Sequence, residues 1–211
     1  NFRKERMGTT SSLRRHFYDV ENFSLSYSYS KIFRRTTDIE YNNQIQSRLL
    51  LNYQYDSQTK GLKPFSKIPL FKGKQWAILR DFTLNYIPKN ITFKSDMLRD
   101  YQETLMRSKS AGLVIMEPYY YKNFYWNREY GVKYDITNSL RMEYSATMNA
   151  LIEEPRGRID TKEKRDSVRQ SIMELGKAMQ FTQNVRLNYN VPINKIPMLN
   201  WVRLNGSYNA Q

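Results

Sequence analysis

Apolar and polar residues alternate one for one along most of this chain, the period expected of half-buried β-strands. Phe23, Leu25, Tyr27 and Tyr29 alternate with Ser24, Ser26, Ser28 and Ser30. Beyond Arg34-Arg35-Thr36-Thr37, a second run sets Ile39, Tyr41, Ile45, Leu49, Leu51, Tyr53 and Tyr55 on one face. Glu40, Asn42, Gln44, Gln46, Arg48, Asn52 and Gln54 take the other. A third run holds Phe82, Leu84 and Tyr86, breaks at Pro88 and resumes with Ile91 and Phe93. The clearest pair follows. Phe124, Trp126, Tyr130, Val132, Tyr134 and Ile136 oppose Asn123, Asn127, Glu129, Gly131, Lys133 and Asp135; Leu140, Met142, Tyr144, Ala146 and Met148 oppose Arg141, Glu143, Ser145, Thr147 and Asn149. Runs over 181–191 and 199–210, joined through Pro192 and Pro197, bring the expected total to about seven antiparallel strands.

Parity restricts the register, because a slip of one residue would move every side chain to the opposite face. One register that keeps the apolar positions together sets Val132 opposite Met142, Tyr130 opposite Tyr144 and Trp126 opposite Met148. It also sets Arg128, on the otherwise apolar face, opposite Ala146. Asp135 to Ser139 supplies the turn. A different period occupies Asp160 to Met179, where Val168, Ile172, Leu175 and Met179 fall at helical spacing. Asp160 is the expected N-cap with Glu163 three residues on, and Gly176 the expected terminator. The expected organisation is one β domain over 1–211 with an insertion at 153–180 bearing an amphipathic helix. A second long connection, Asp56 to Arg80, carries Lys60, Lys63, Lys67, Lys72 and Lys74 with Pro64 and Pro69.

Composition sharpens this picture. The chain of 211 residues has 17 Tyr, 10 Phe and 3 Trp, yet only 40% hydrophobic residues and a mean hydropathy of −0.75. That is thin for a self-contained core, so one face of the strands is expected to meet a non-aqueous medium. No Cys and a single His exclude thiol catalysis, disulfide scaffolds and Cys/His zinc sites. His16 has no nucleophilic or metal partner nearby in sequence, and Glu153-Glu154 would point to opposite sides of a strand. No phosphate-cradling glycine loop or hydrolase motif occurs. The expectation is a non-enzyme without cofactor or metal. Lys and Arg number 34 against 20 Asp and Glu, a net charge of +14. A basic aromatic sheet could bind single-stranded nucleic acid, but Arg14-Arg15, Arg34-Arg35, Lys60 to Lys74 and Lys162 to Arg165 gather at strand ends and loops. That distribution suits an anionic membrane surface better.

Ten-residue segments that are apolar outward and polar inward, with interfacial aromatics, are the signature of a transmembrane β-barrel. The apolar face then needs lipid, not a core, and the polar face lines a wet lumen. A soluble sheet wet on one face shares the alternation, but it usually brings a second packing layer, and only one helix is available here. Two features strain the barrel reading. Thr37 to Tyr55 exceeds the roughly 9–11 residues that cross a bilayer, so the strands are expected to project beyond it. Arg128 would cost about 2–4 kcal/mol facing lipid at mid-depth, so it is expected to be covered by a partner or to lie above the lipid.

Longer strings within these strands are more specific than alternation. Phe124-Tyr125-Trp126-Asn127-Arg128-Glu129-Tyr130, Tyr134 to Leu140, and Glu154-Pro155-Arg156-Gly157-Arg158-Ile159-Asp160 resemble the SprA/Sov family. So do Pro88-Lys89-Asn90-Ile91-Thr92-Phe93 running to Arg99-Asp100-Tyr101, and Asn190-Val191-Pro192-Ile193-Asn194-Lys195-Ile196-Pro197. The resemblance covers roughly Phe23 to the end. It implies the outer-membrane translocon of the gliding-linked type IX secretion system, a very large barrel exporting folded proteins. It also implies outer-membrane lipid, secreted cargo, a PorV-like barrel protein and a peptidyl-prolyl isomerase as partners, with no nucleic acid. On this resemblance Asn123, Asn127, Glu129, Lys133, Arg141, Glu143, Ser145 and Thr147 would line the conduit. Phe124, Trp126, Arg128, Tyr130, Tyr134, Met142 and Tyr144 would face lipid or a partner. By the usual barrel asymmetry the 135–139 turn would be periplasmic and the 153–180 loop extracellular. Both chain ends, cut inside patterned segments, are expected to continue into a longer protein. A lipopolysaccharide-assembly barrel, a TonB-dependent transporter and a basic nucleic-acid-binding sheet remain the alternatives.

Overall fold

A computed structural model describes residues 2–3, 16–57, 61–65, 82–108, 116–192 and 201–211. Arg14, Arg15, Lys60, Lys67, Lys72, Lys74, Pro69, Pro197 and Leu199 lie outside the described residues. The protein is an all-β antiparallel sheet with one α-helix among the described residues. Its strands are β1 (Phe2–Arg3), β2 (Phe23–Arg34), β3 (Ile39–Asp56), β4 (Asn90–Met106), β5 (Tyr119–Asp135), β6 (Leu140–Leu151), β7 (Lys177–Val191) and β8 (Leu204–Ala210). Each pairs with its sequence neighbours in the order β1 to β8. Helix α1 (Lys162–Met173) lies between β6 and β7.

Uninterrupted registers carry one face across the sheet. Leu25, Leu51, Ser95, Arg128, Met148 and Phe181 form one row; Phe23, Tyr53, Phe93, Tyr130, Ala146 and Gln183 form the next. Cross-strand contacts of this kind, such as Phe23–Tyr53 and Phe93–Tyr130 with ring centroids 4.8 and 5.2 Å apart, are the unit of sheet stabilisation. Bulges at Glu40 and Met179, between 39/41 and across 149/150, are confined to one end of their strands.

The β5–β6 register differs by two residues from the parity-based expectation, with the faces unchanged. Val132 sits opposite Tyr144, Tyr130 opposite Ala146, Trp126 opposite Ala150 and Arg128 opposite Met148. The turn explains the slide. Thr137 N–H donates to the Leu140 carbonyl, and the Thr137 hydroxyl accepts from Ser139 N and Leu140 N at 3.1 and 2.9 Å. This capped turn takes up residues the tighter loop would have put into the ladder, and it sets Trp126 against a small partner.

Three more boundaries depart from the sequence pattern. The run from Phe82 splits: Leu84 makes only isolated bridges to Leu62 and Thr137, and the strand proper begins at Asn90 and continues to Met106. Helix α1 is capped by Thr161, whose side chain accepts from Lys164 N, and not by Asp160. It ends at Met173, so Met179 belongs to β7 and the connection spans 152–176. Connection lengths also fail to sort by end. The short 136–139 turn shares an end of the sheet with the long 57–89 connection, and the short 35–38 turn shares the other with 152–176. Loop length therefore does not orient this sheet.

Candidate functional site

The two faces differ in chemistry along their whole width. Asn123, Asn127, Glu129 and Lys133 of β5 share the polar face with Arg141, Glu143, Ser145 and Thr147 of β6, as the alternation predicts. Their cross-strand partners are Asp100, Asp96, Lys94 and Asn90 on β4 and Asn188, Arg186, Asn184 and Thr182 on β7. Charges here meet opposite charges: Arg48–Asp96 at 2.6 Å, Lys94–Glu129 at 2.9 Å, Lys89–Asp135 at 3.4 Å and Arg186–Glu143 at 3.7 Å. Pairs this exposed contribute little to stability; their effect is to leave a hydrated, locally neutral wall. Tyr119, Tyr121 and Tyr125 also stand on this face, a detail missed by following the Asn and Glu positions alone.

On the other face, Trp126, Tyr130, Tyr134, Met142 and Tyr144 lie in a band of apolar rows, whereas Phe124 and Arg128 are buried. On β5 the band runs from Trp126 to Tyr134, nine residues. The matching stretches are Leu49 to Tyr55 on β3 and Ile91 to Met97 on β4. Toward the turn end, Tyr53 donates its phenol to the Phe17 carbonyl at 2.7 Å and Tyr134 to that of Asn85 at 2.8 Å. Toward the other end the same face abruptly becomes charged: Arg99, Glu103 and Lys122 occupy positions that would continue the apolar rows.

The 152–176 connection folds back over this charged zone as a strap. Two clusters fasten it. Glu103, only 3% exposed, accepts from Arg158 Nη2 and Nε at 2.6 and 2.9 Å, from the Tyr41 phenol at 2.8 Å and from the Tyr101 phenol at 3.0 Å. Four charge-assisted bonds satisfy a carboxylate that would otherwise be costly to bury. The hydrogen bonds from Arg158 to Glu103 push the guanidinium above its already high ordinary value. In the second cluster Glu154 takes Arg99 through Nε and, at 3.1 Å, Nη2, with the Lys122 ammonium at 3.8 Å. Lys122 also donates to the Pro155 carbonyl at 2.8 Å. An open pocket of about 630 Å³ lies between the strap and the sheet, lined by Ile45, Tyr101, Phe124 and Val168 together with charged residues of both clusters.

Arg128 is covered by the chain itself. Leu175 closes over it, and its Nη2 donates to the Leu175 carbonyl at 3.0 Å while the guanidinium carbon stands 4.6 Å from the Trp126 ring. Helix α1 has no basic residue in its last turn, so Arg128, reaching across from β5, places a cation at the negative helix end. Its Nε has no hydrogen-bond partner among the described residues. Leu175 and Gly176 both adopt positive φ, 65° and 71°, to turn the chain from α1 into β7. A Cβ on Gly176 would fall 2.9 Å from the Leu151 carbonyl, so glycine permits the close approach.

Glu153 and Glu154 do not converge: Glu154 enters the second cluster and Glu153 stays exposed, 3.8 Å from Lys177. His16 is exposed, stacked on Tyr18. Among the described residues no group of three or more His, Cys, Asp or Glu is placed to hold a metal ion. No helix among them is long and apolar enough to cross a membrane, which leaves crossing by strands open. No protein-family model matches this chain, and no curated protein does.

Proposed function

We propose that this chain is an arc of the wall of a large outer-membrane barrel that conducts polypeptides outward, as its resemblance to the SprA/Sov family implies. The observation that carries the reading is the height of the apolar band. Seven residues on β3 and β4 and nine on β5, at about 3.3 Å each, make about 23–30 Å along the strand. At a tilt of about 40° this stands about 18–23 Å high, a little under the roughly 25 Å apolar belt of outer-membrane barrels. Strands of 17 or 18 residues are then no contradiction: the surplus projects beyond the bilayer, and the strap sits on that surplus, only its last residues reaching down to Arg128 at the upper edge of the band. Tyr53 and Tyr134, with apolar rings in the band and phenols on loop carbonyls, suit the interfacial aromatic belt at the turn end.

The opposite face suits a conduit. Amides, hydroxyls and self-neutralised charges offer passing chains no strong electrostatic hold. Asn123, Asn127, Glu129, Lys133, Arg141, Glu143, Ser145 and Thr147 line it. The wall carries no catalytic centre and needs no cofactor. Its partners are lipid, exported cargo, a PorV-like barrel protein and a peptidyl-prolyl isomerase, and its location is the bacterial outer membrane. The projecting strap end is assigned to the outside of the cell, an orientation that the protease measurement below decides.

Two measurements test this. The full-length protein should stay in outer-membrane fractions until detergent is added; release by salt alone would overturn the membrane reading. Trypsin added to intact cells should cut within Lys162 to Arg165. Cleavage only after the outer membrane is permeabilised would reverse the orientation.

A further inference from the structure

Helix α1 has an outward side that the fastening of the strap does not use. Its half-buried side carries Lys164, Val168, Ser171 and Ile172. On the outward side Lys162, Arg169 and Met173 fall nearly in line at helical spacing, Arg169 standing 3.7 Å from Asp166; Arg165 beside them is exposed but also donates to the Asp160 carbonyl at 3.2 Å. Met173 is 77% exposed. The helix holds four basic residues against two acidic ones, so it is too polar to enter hydrocarbon. Just past its end the exposed side chains turn apolar: Leu175, Met179 and Phe181 are all at least half exposed. Phe181 belongs to the same row as Met148 and Arg128, near the upper limit of the apolar band. The lip is therefore continuous with the band, and the helix rises from it toward the Glu103–Arg158 cluster, so that Arg169 stands nearest the lip and Lys162 farthest from it. This order, apolar edge below and cations above, is that of an interfacial helix on a phosphate-bearing lipid surface.

We infer that α1 and the Met173–Phe181 lip rest on the headgroup layer of the bilayer and fix the depth at which this wall sits, an inference that rests on the membrane reading above. The lip touches the upper acyl region, Arg165 and Arg169 face lipid phosphates, and Lys162 stands above them in water. The two clusters under the strap hold the helix at that height, and Arg128 holds its C-terminal end. Without the strap, the charged zone at Arg99, Glu103 and Lys122 could slide toward lipid; with it, descent is blocked by a polar helix.

The test is fluorescence depth quenching in the full-length protein, reconstituted in phosphatidylcholine vesicles containing phosphatidylglycerol. A polarity-sensitive label is placed singly at Y130C, M173C or K162C. Y130C should be quenched by a nitroxide deep in the acyl chain, M173C by a nitroxide at the headgroup, and K162C by aqueous iodide. Replacing Lys162, Arg165 and Arg169 together by Gln should shift the M173C quenching from the headgroup nitroxide toward iodide. If Y130C is quenched deeply but M173C responds only to iodide, or as deeply as Y130C, the depth-stop inference falls and the membrane reading stands. If Y130C itself responds only to iodide, both fall.

Discussion

One face of one sheet carries two different kinds of surface, and the contrast between them explains most of the molecule. Around Tyr130 on β5 no second layer among the described residues finishes the face, and Tyr130 remains 38% exposed; the strap reaches down only as far as Arg128, under Leu175. From Tyr120 to Phe124 the same face meets the strap, and Glu103, Tyr101 and Phe124 are buried beneath it. The lower zone is apolar and, around Tyr130, meets no covering layer among the described residues. The upper zone is charged because its partner is a loop that brings matching charges. Alternation in a strand thus records that a second surface exists, and the residue type records what that surface is made of.

The largest effect should come from disarming the clasp. Glu103→Ala leaves Arg158, Tyr41 and Tyr101 without their acceptor; the exposed guanidinium can return to water, so the cost is chiefly that of the two phenols, about 2–4 kcal/mol together. Tryptic cleavage at Lys162 to Arg165 should accelerate strongly, and an unchanged rate would show that the strap does not depend on Glu103. Charge substitutions sharpen the contrast between zones next. Val132→Arg in the band should cost about 2–4 kcal/mol in bilayers, whereas Phe33→Arg, on the same face beyond it, should cost less than about 0.5 kcal/mol. Equal losses in an equilibrium unfolding titration from vesicles would erase the distinction between the zones. Arg128→Met keeps length but removes the bond to Leu175, a charge-assisted contact of about 1.5–3 kcal/mol. Its amide-exchange signature should be early opening of the last turn of α1 and residues 174–176, with the band unaffected. The smallest effect is Thr161→Ala, which removes the α1 cap at about 1 kcal/mol. Exchange should rise in the first turn only; a change at the sheet would mean the cap does more than start the helix.

The sheet was legible in the sequence wherever one-for-one apolar and polar alternation holds. β2, β3, β5 and β6 and the two faces of each follow from spacing alone, and parity survived even though the β5–β6 register slid by two. Legibility fails in β4 after Met97, where Arg99 and Glu103 occupy positions of the apolar parity. Those residues disguised the strand, yet they were also the signal for the strap. Misplaced charges on β4 and β5 had counterparts in Glu154 and Arg158 more than thirty residues away along the chain, and no local rule pairs them. Arg128 was visible as an exception, but what covers it was not. Its partner is a backbone carbonyl at a left-handed turn, and Leu175, the residue that supplies it, gives no sign of that conformation.

The strict neighbour-to-neighbour order of β1 to β8 carries a consequence for how such a wall could have grown. Every strand owes its place only to the strands before and after it in the chain. Inserting or deleting a whole hairpin therefore leaves each remaining side chain on the face it already had, since reversing direction twice restores both polarity and sense. Duplication of hairpins could widen the wall without remaking it, and a strap such as 152–176 could be acquired at one connection while its neighbours went on diverging as a simple repeat.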